Sequence, residues 1–95
     1  MKPLSQEEIT ASINSLNAWK VESDALVAEW VFTDFVQAFQ FLTAVAIEAE
    51  KHQHHPEIQN VFNRVGLRLS THDAGDKITQ KDVDLAFAIS GLIKE

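Results

Sequence analysis

The chain has no cysteine. That excludes disulfides, thiolate metal sites and cysteine nucleophiles, and it suits a reducing compartment. Basic residues are also few: eight Lys and Arg stand against 14 Asp and Glu, a formal net charge of −6. Affinity for a phosphate backbone comes mainly from Lys and Arg displacing counterions, so this balance argues against direct binding of nucleic acid. No apolar run approaches the roughly 20 residues of a membrane span, and the first residues show no basic stretch followed by an apolar one. The expectation is a soluble, cytoplasmic chain with no membrane partner. G-x-S-x-G, the phosphate-loop pattern and G-x-G-x-x-G are all absent, so serine-hydrolase, phosphate-loop and dinucleotide chemistries lack support.

What is present is enough apolar material for one core. With 95 residues, 45% of them hydrophobic, residues 1–95 form a single domain that needs no staples. Ser5-Gln6-Glu7-Glu8 has the pattern of a capping box, with Leu4 and Ile9 set as its staple, and Ile9, Ile13 and Leu16 recur at helical spacing to about Asn17. Trp19 to Val21 and Leu26 to Phe32, rich in β-branched and aromatic residues around a turn at Glu22-Ser23-Asp24, predict a hairpin. A second helix is expected from Thr33 or Asp34 to about Gln53. Its wheel gathers Phe35, Ala38, Phe39, Leu42, Val45, Ala46 and Ala49 on one face against a sheet, leaving Val36, Phe41 and Ile47 for a second surface such as a subunit contact. From Asn60 to Thr71 the residues alternate as one strand or two, with Val61, Val65, Leu67 and Leu69 on one face and Phe62, Arg68 and His72 on the other. Val65-Gly66 is the expected bend or bulge dividing two strand segments. A last helix opens on Thr79 as N-cap, Asp82 at the third helical position and Ile78 with Val83 as staple, and packs through Val83, Ala86, Phe87, Ile89 and Ile93.

Antiparallel strands with helices on one face make a two-layer α+β fold, and its open sheet edges favour pairing with a second copy. All four histidines lie between Glu50 and Asp82. His54 and His55 precede Pro56, which ends the helix arriving before them, so the pair belongs to a helix end or the following loop. Imidazoles titrate near neutral pH, as general acid–base work prefers. The candidate site residues are Glu50, His54, His55, Phe62, His72 and Asp82, with Glu50 at the helix edge facing a cleft and Phe62 as a wall for a flat ligand. Each has a plainer reading: Glu50 as helix surface, Phe62 as core, Asp82 as a capping acid, and His52 as a surface or hydrogen-bonded structural residue. A His-rich metal site over His52 to His55 is the rival chemistry, opposed by the strain of aiming adjacent histidines at one ion and by the lack of H-E-x-x-H.

These residues resemble the pterin-4a-carbinolamine dehydratases, also called DCoH. The family pattern of a charged residue, three positions, His-His-Pro, an aromatic, a later histidine and an aspartate is matched by Glu50, His54-His55-Pro56, Phe62, His72 and Asp82. Asn60-Val61-Phe62-Asn63 and Leu69-Ser70-Thr71-His72-Asp73 match its flanks. The resemblance implies the order α-β-β-α-β-β-α, with about four antiparallel strands and three helices on one face. It implies dehydration of a 4a-hydroxytetrahydropterin to the quinonoid dihydropterin, in tetrahydropterin recycling, with no metal or organic cofactor. His54 and His72 are then the acid–base residues and His55 binds and orients the pterin. Glu50 and Asp82 hydrogen-bond the histidines or the ring, and Phe62 lines the pocket. A homodimer or homotetramer is implied, and so is an alternative role, that of a dimerisation or coactivator module with little or no catalysis. Two side chains depart from the pattern, Ile58 where members often carry Trp and Phe62 where they often carry Tyr; the missing hydroxyl assigns Phe62 to packing. The loop from His72 to Asp82 is also one residue longer than in the animal members.

Overall fold

The structure is a computed structural model, and it describes residues 2–93. Ser5 caps the first helix, α1 (Gln6–Ile13): its hydroxyl accepts from Glu8 N–H, while its own N–H donates to the Glu8 carboxylate at 2.8 Å. These bonds, the Ser5 backbone N–H first, hold the Glu8 carboxyl below the usual carboxylate range. The cap's contribution is therefore present at neutral pH and fades as the pH falls through that lowered value. The helix is shorter than its apolar stripe; Leu16 lies beyond it, yet buried.

Strands β1 (Trp19–Glu22) and β2 (Ala25–Val31) form the expected hairpin, closed by Ser23 and Asp24 with φ of 49° and 63°. Positive φ at both central residues matches the right-handed twist of the strands. Asp34 caps α2 (Phe35–His52), and Gln53 ends it in the left-handed conformation at φ 48°. Strand β3 (Glu57–Val61) then turns directly into β4 (Arg64–Leu69), and a short 3₁₀ turn (His72–Ala74) leads to α3 (Gln80–Ser90). The order α-β-β-α-β-β-α stands, as does a four-stranded antiparallel sheet, arranged β1-β2-β4-β3.

Register decides the two faces. Trp19 pairs with Ala28, Ala28 with Leu67, Leu26 with Leu69 and Trp30 with Val65, so these side chains point together toward the helices. They meet Ala38, Phe41, Leu42 and Val45 of α2 and Val83, Leu85, Ala86 and Ile89 of α3 in one core. Trp19, Trp30, Phe41 and Phe32 touch in series with ring centroids 5.0–5.6 Å apart.

Three expectations are corrected. The bend lies not at Gly66 but at Phe62-Asn63, because Asn60 and Asn63 side chains tie the turn to the carbonyls of Phe62, Arg64 and Phe32. Phe62 takes φ 50° there, a conformation usually signalled by Gly or Asn, and a phenylalanine is no cue for it. The inserted turn breaks parity: Val61 pairs with Arg64 on the outer face while Val65, Leu67 and Leu69 stay inside, and His72 leaves the sheet. On α2 the buried stripe runs Ala38, Phe41, Leu42, Val45, Ala49; Phe35, Phe39 and Ala46 are exposed. Phe41 falls inward, where it packs against the rings of Trp30 in β2 and Phe32 just beyond it. On α3, Leu85 is fully buried and Phe87 is half-exposed. Leu85→Ala is expected to lower unfolding free energy by about 2–5 kcal/mol, read from urea titration.

Candidate functional site

The sheet register carries the His-His-Pro segment and the His72 turn to one end of the molecule. Glu57, just after Pro56, pairs with Arg68, just before Leu69, so residues 54–56 and 70–72 leave the sheet side by side. The capped start of α3 closes the gap between them. There Asp82 is completely buried, and its two oxygens are divided between two tasks. Oδ2 accepts from Thr79 N–H at 2.8 Å, which completes the capping box, and from the Thr71 hydroxyl at 2.8 Å. Oδ1 meets Nε2 of His54 at 2.5 Å. The plainer reading of Asp82 as a capping acid holds for Oδ2, while Oδ1 is engaged with His54.

His54 is held at the other end too. Its backbone N–H donates to Ala49 O at 3.1 Å, in the left-handed termination of α2, and its side chain is 11% exposed. The two remaining candidate histidines are solvent-facing. His55 Nε2 donates to Glu50 Oε2 at 2.6 Å with both side chains more than half exposed, so Glu50 does not face a cleft; it serves its neighbouring imidazole. His72 Nδ1 donates to Asp76 Oδ1 at 3.1 Å, and its side chain is 92% exposed. His52 is half-buried, and its Nδ1–H donates to Glu48 O one helical turn back, as the hydrogen-bonded structural reading has it.

Phe62 is not part of this group. The five residues of β3 carry the chain roughly 17 Å from Pro56 at about 3.3 Å per residue, and Phe62 sits at that far end, 64% exposed. It walls no pocket with the histidines of its own chain, because the parity that placed it on the His72 face was lost at the turn. A concavity of about 720 Å³ lies elsewhere, on the outer sheet face over Lys20, Glu29, Gln59, Gly66 and Arg68. Among the described residues no group of three or more His, Asp or Glu side chains is placed to hold a metal ion.

Two residues escaped the sequence reading. Thr71 was only a motif flank and Thr79 only a cap, yet both are buried and their hydroxyls lie 2.7 Å apart beside Asp82. The available signal was parity: Thr71 continues the inward series Val65, Leu67, Leu69, and a polar side chain at an inward position requires a buried partner.

The site thus has a buried pair and two exposed ones, with different energetic weight. Asp82→Ala leaves His54, Thr71 and the Thr79 N–H without their acceptor and is expected to cost roughly 3–5 kcal/mol in a denaturant melt. Glu50→Ala removes an exposed pair and is expected to cost less than about 1 kcal/mol in the same melt.

Comparison with known proteins identifies the family. The family model described as pterin 4 alpha carbinolamine dehydratase matches residues 2–92. A protein of Rhizorhabdus wittichii, provisionally named pterin-4-alpha-carbinolamine dehydratase, is 45% identical over 94 residues, covering 97% of this chain and 96% of its own. A protein of Opitutus terrae with the same provisional name is 47% identical over 83 residues, 87% and 86% of the two chains. The crystal structure of a transcriptional coactivator/pterin dehydratase from Brucella melitensis superposes with a TM-score of 0.92 at 30% identity, over 98% of this chain and 100% of that one. A pterin dehydratase-like RuBisCO assembly factor of the alpha-carboxysome shares the fold, with a TM-score of 0.63 at 20% identity over 78% of this chain and 84% of that one. With nearly the whole chain matched and the Glu50, His54-His55-Pro56, His72 and Asp82 pattern at one end of the fold, the chain belongs to the pterin 4 alpha carbinolamine dehydratase family.

Proposed function

We propose that this chain dehydrates a 4a-hydroxytetrahydropterin to the quinonoid dihydropterin, as one step of tetrahydropterin recycling. The observation that carries the reading is the His54–Asp82 pair, an imidazole held at 2.5 Å by a fully buried carboxylate at the end of the molecule where His55 and His72 also emerge. The reaction removes the N5 proton, forms the C4a–N5 double bond and expels the 4a-hydroxyl as water once it is protonated. Electrons balance without an oxidant, and the chemistry asks for one base and one acid. Imidazoles supply both near neutral pH. His54 and His72 are the acid–base residues, and His55, oriented by Glu50, binds the pterin.

His54→Ala and His72→Ala are each expected to lower kcat by about 10²–10⁴, the usual contribution of a positioned acid–base group, with the fold retained by circular dichroism. Wild-type turnover in either variant, followed by absorbance on a 4a-hydroxytetrahydropterin, would remove that residue from the mechanism.

A second reading, an interaction module, is favoured by one observation: Phe35, Val36, Phe39 and Ile47 of α2 are each about half exposed or more, as are Val61 and Phe62 at the end of β3. We propose that these surfaces pair copies of the chain, since β3 is an edge strand with an open row of hydrogen-bonding groups. Light scattering is expected to give a dimer or tetramer, and Phe39→Glu to shift it toward monomer. A monomeric wild type would defeat the pairing. A multimeric chain with no turnover would favour the interaction role over the enzyme.

A further inference from the structure

The hydroxyl of Thr71 does work that neither the helix cap nor the histidine pattern requires. Thr71 is 5% exposed, Thr79 and Asp82 fully buried, and the polar hydrogens among them run in one direction. Lys81 N–H donates to Thr79 Oγ1 at 3.2 Å, so Thr79's single hydroxyl proton is free for Thr71 Oγ1 at 2.7 Å. Thr71's own proton then goes to Asp82 Oδ2 at 2.8 Å. With Thr79 N–H as its second donor, Oδ2 is saturated, and Oδ1 is left to accept from His54 Nε2–H. A neutral imidazole that donates from Nε2 has a bare Nδ1. No partner for Nδ1 is present among the described residues.

The backbone of Thr71 anchors the other half of the site. Its N–H donates to Lys77 O at 2.8 Å, and its carbonyl accepts from Ala74 and Asp76 N–H at 3.1 Å each, which closes the turn carrying His72. One residue therefore ties the His72 turn to the carboxylate behind His54.

We propose that Thr71 is a positioning residue: through Asp82 it holds His54 in the Nε2–H tautomer, so that Nδ1 of His54 is the atom that takes the pterin N5 proton. The catalytic part of this inference rests on the dehydratase reading; the tautomer part does not. Without the Thr71 hydroxyl, Oδ2 keeps one donor, the carboxylate can swing, and the imidazole loses a fixed acceptor.

Thr71→Val is the discriminating variant. Valine has nearly the same shape and accepts the extended backbone at φ −106°, ψ 110°. Its kcat on a 4a-hydroxytetrahydropterin is expected to fall on the order of 10- to 100-fold, a fraction of what a positioned base supplies, with KM unchanged. Thr71→Ser restores the hydroxyl and is expected to recover kcat. Histidine side-chain ¹⁵N NMR at a pH where the rings are neutral is expected to show pure Nε2–H for His54 in wild type and Thr71→Ser, and a tautomer mixture in Thr71→Val. Wild-type kcat with an unchanged His54 tautomer in Thr71→Val would overturn the proposal. So would an Nδ1–H tautomer in the wild-type protein, whether or not the valine variant folds. A wild type with no turnover would count against the dehydratase reading alone, and the tautomer spectra would still decide the role of Thr71.

Discussion

The carboxylate of Asp82 is the joint on which this structure depends. An ionised group with no exposure to water is tolerated only where donors replace its hydration, and here the donors come from three separate segments: the start of α3, the strand end at Thr71 and the loop at His54. His54 is 28 residues from Asp82 and Thr71 is 11. Satisfying one carboxylate thus registers the end of α2, the end of β4 and the beginning of α3 against one another. Helix capping, usually a local matter, becomes here a tertiary constraint, because only one carboxylate oxygen is spent on the cap.

The exposed imidazoles show the opposite design. His55 with Glu50 and His72 with Asp76 are paired in water, where such contacts contribute little and rearrange cheaply. In the proposed reaction this division suits the two kinds of work. A base that must meet one ring nitrogen is held by a buried network, whereas groups that greet the substrate or deliver a proton to a departing hydroxyl are exposed.

The apolar surface follows a similar logic. The helix α2 gives its Ala38, Phe41, Leu42, Val45, Ala49 stripe to the core and keeps Phe35, Val36, Phe39 and Ile47 outside. Phe35 and Phe39 rings meet at 5.0 Å, which shields part of each from water, but both remain about half exposed. An amphipathic helix with two apolar faces and a sheet with an open edge at β3 are the features on which the proposed pairing of copies rests.

Much of this protein was legible in the residues alone. Capping boxes at Ser5 and Thr79, the turn at Ser23-Asp24 and the helix end before Pro56 are local: each is set by bonds or clashes within four or five residues, so type and place could be read directly. The element order and the identity of His54, His55, His72 and Asp82 as the residues to watch came from the same level, helped by a spacing shared with a known family. What needed the tertiary structure was everything decided by a distant partner. Phe62 adopted a turn without Gly because Asn60 and Asn63 fastened it to neighbouring strands. Phe41 went inward because the rings of Trp30 in β2 and Phe32 just past it awaited it. Thr71 became the link between two histidine segments because strand parity and the register of β4 delivered its hydroxyl to a carboxylate on another helix. Short-range sterics and capping are written in consecutive letters; which oxygen of Asp82 faces which donor is settled only when the layers pack.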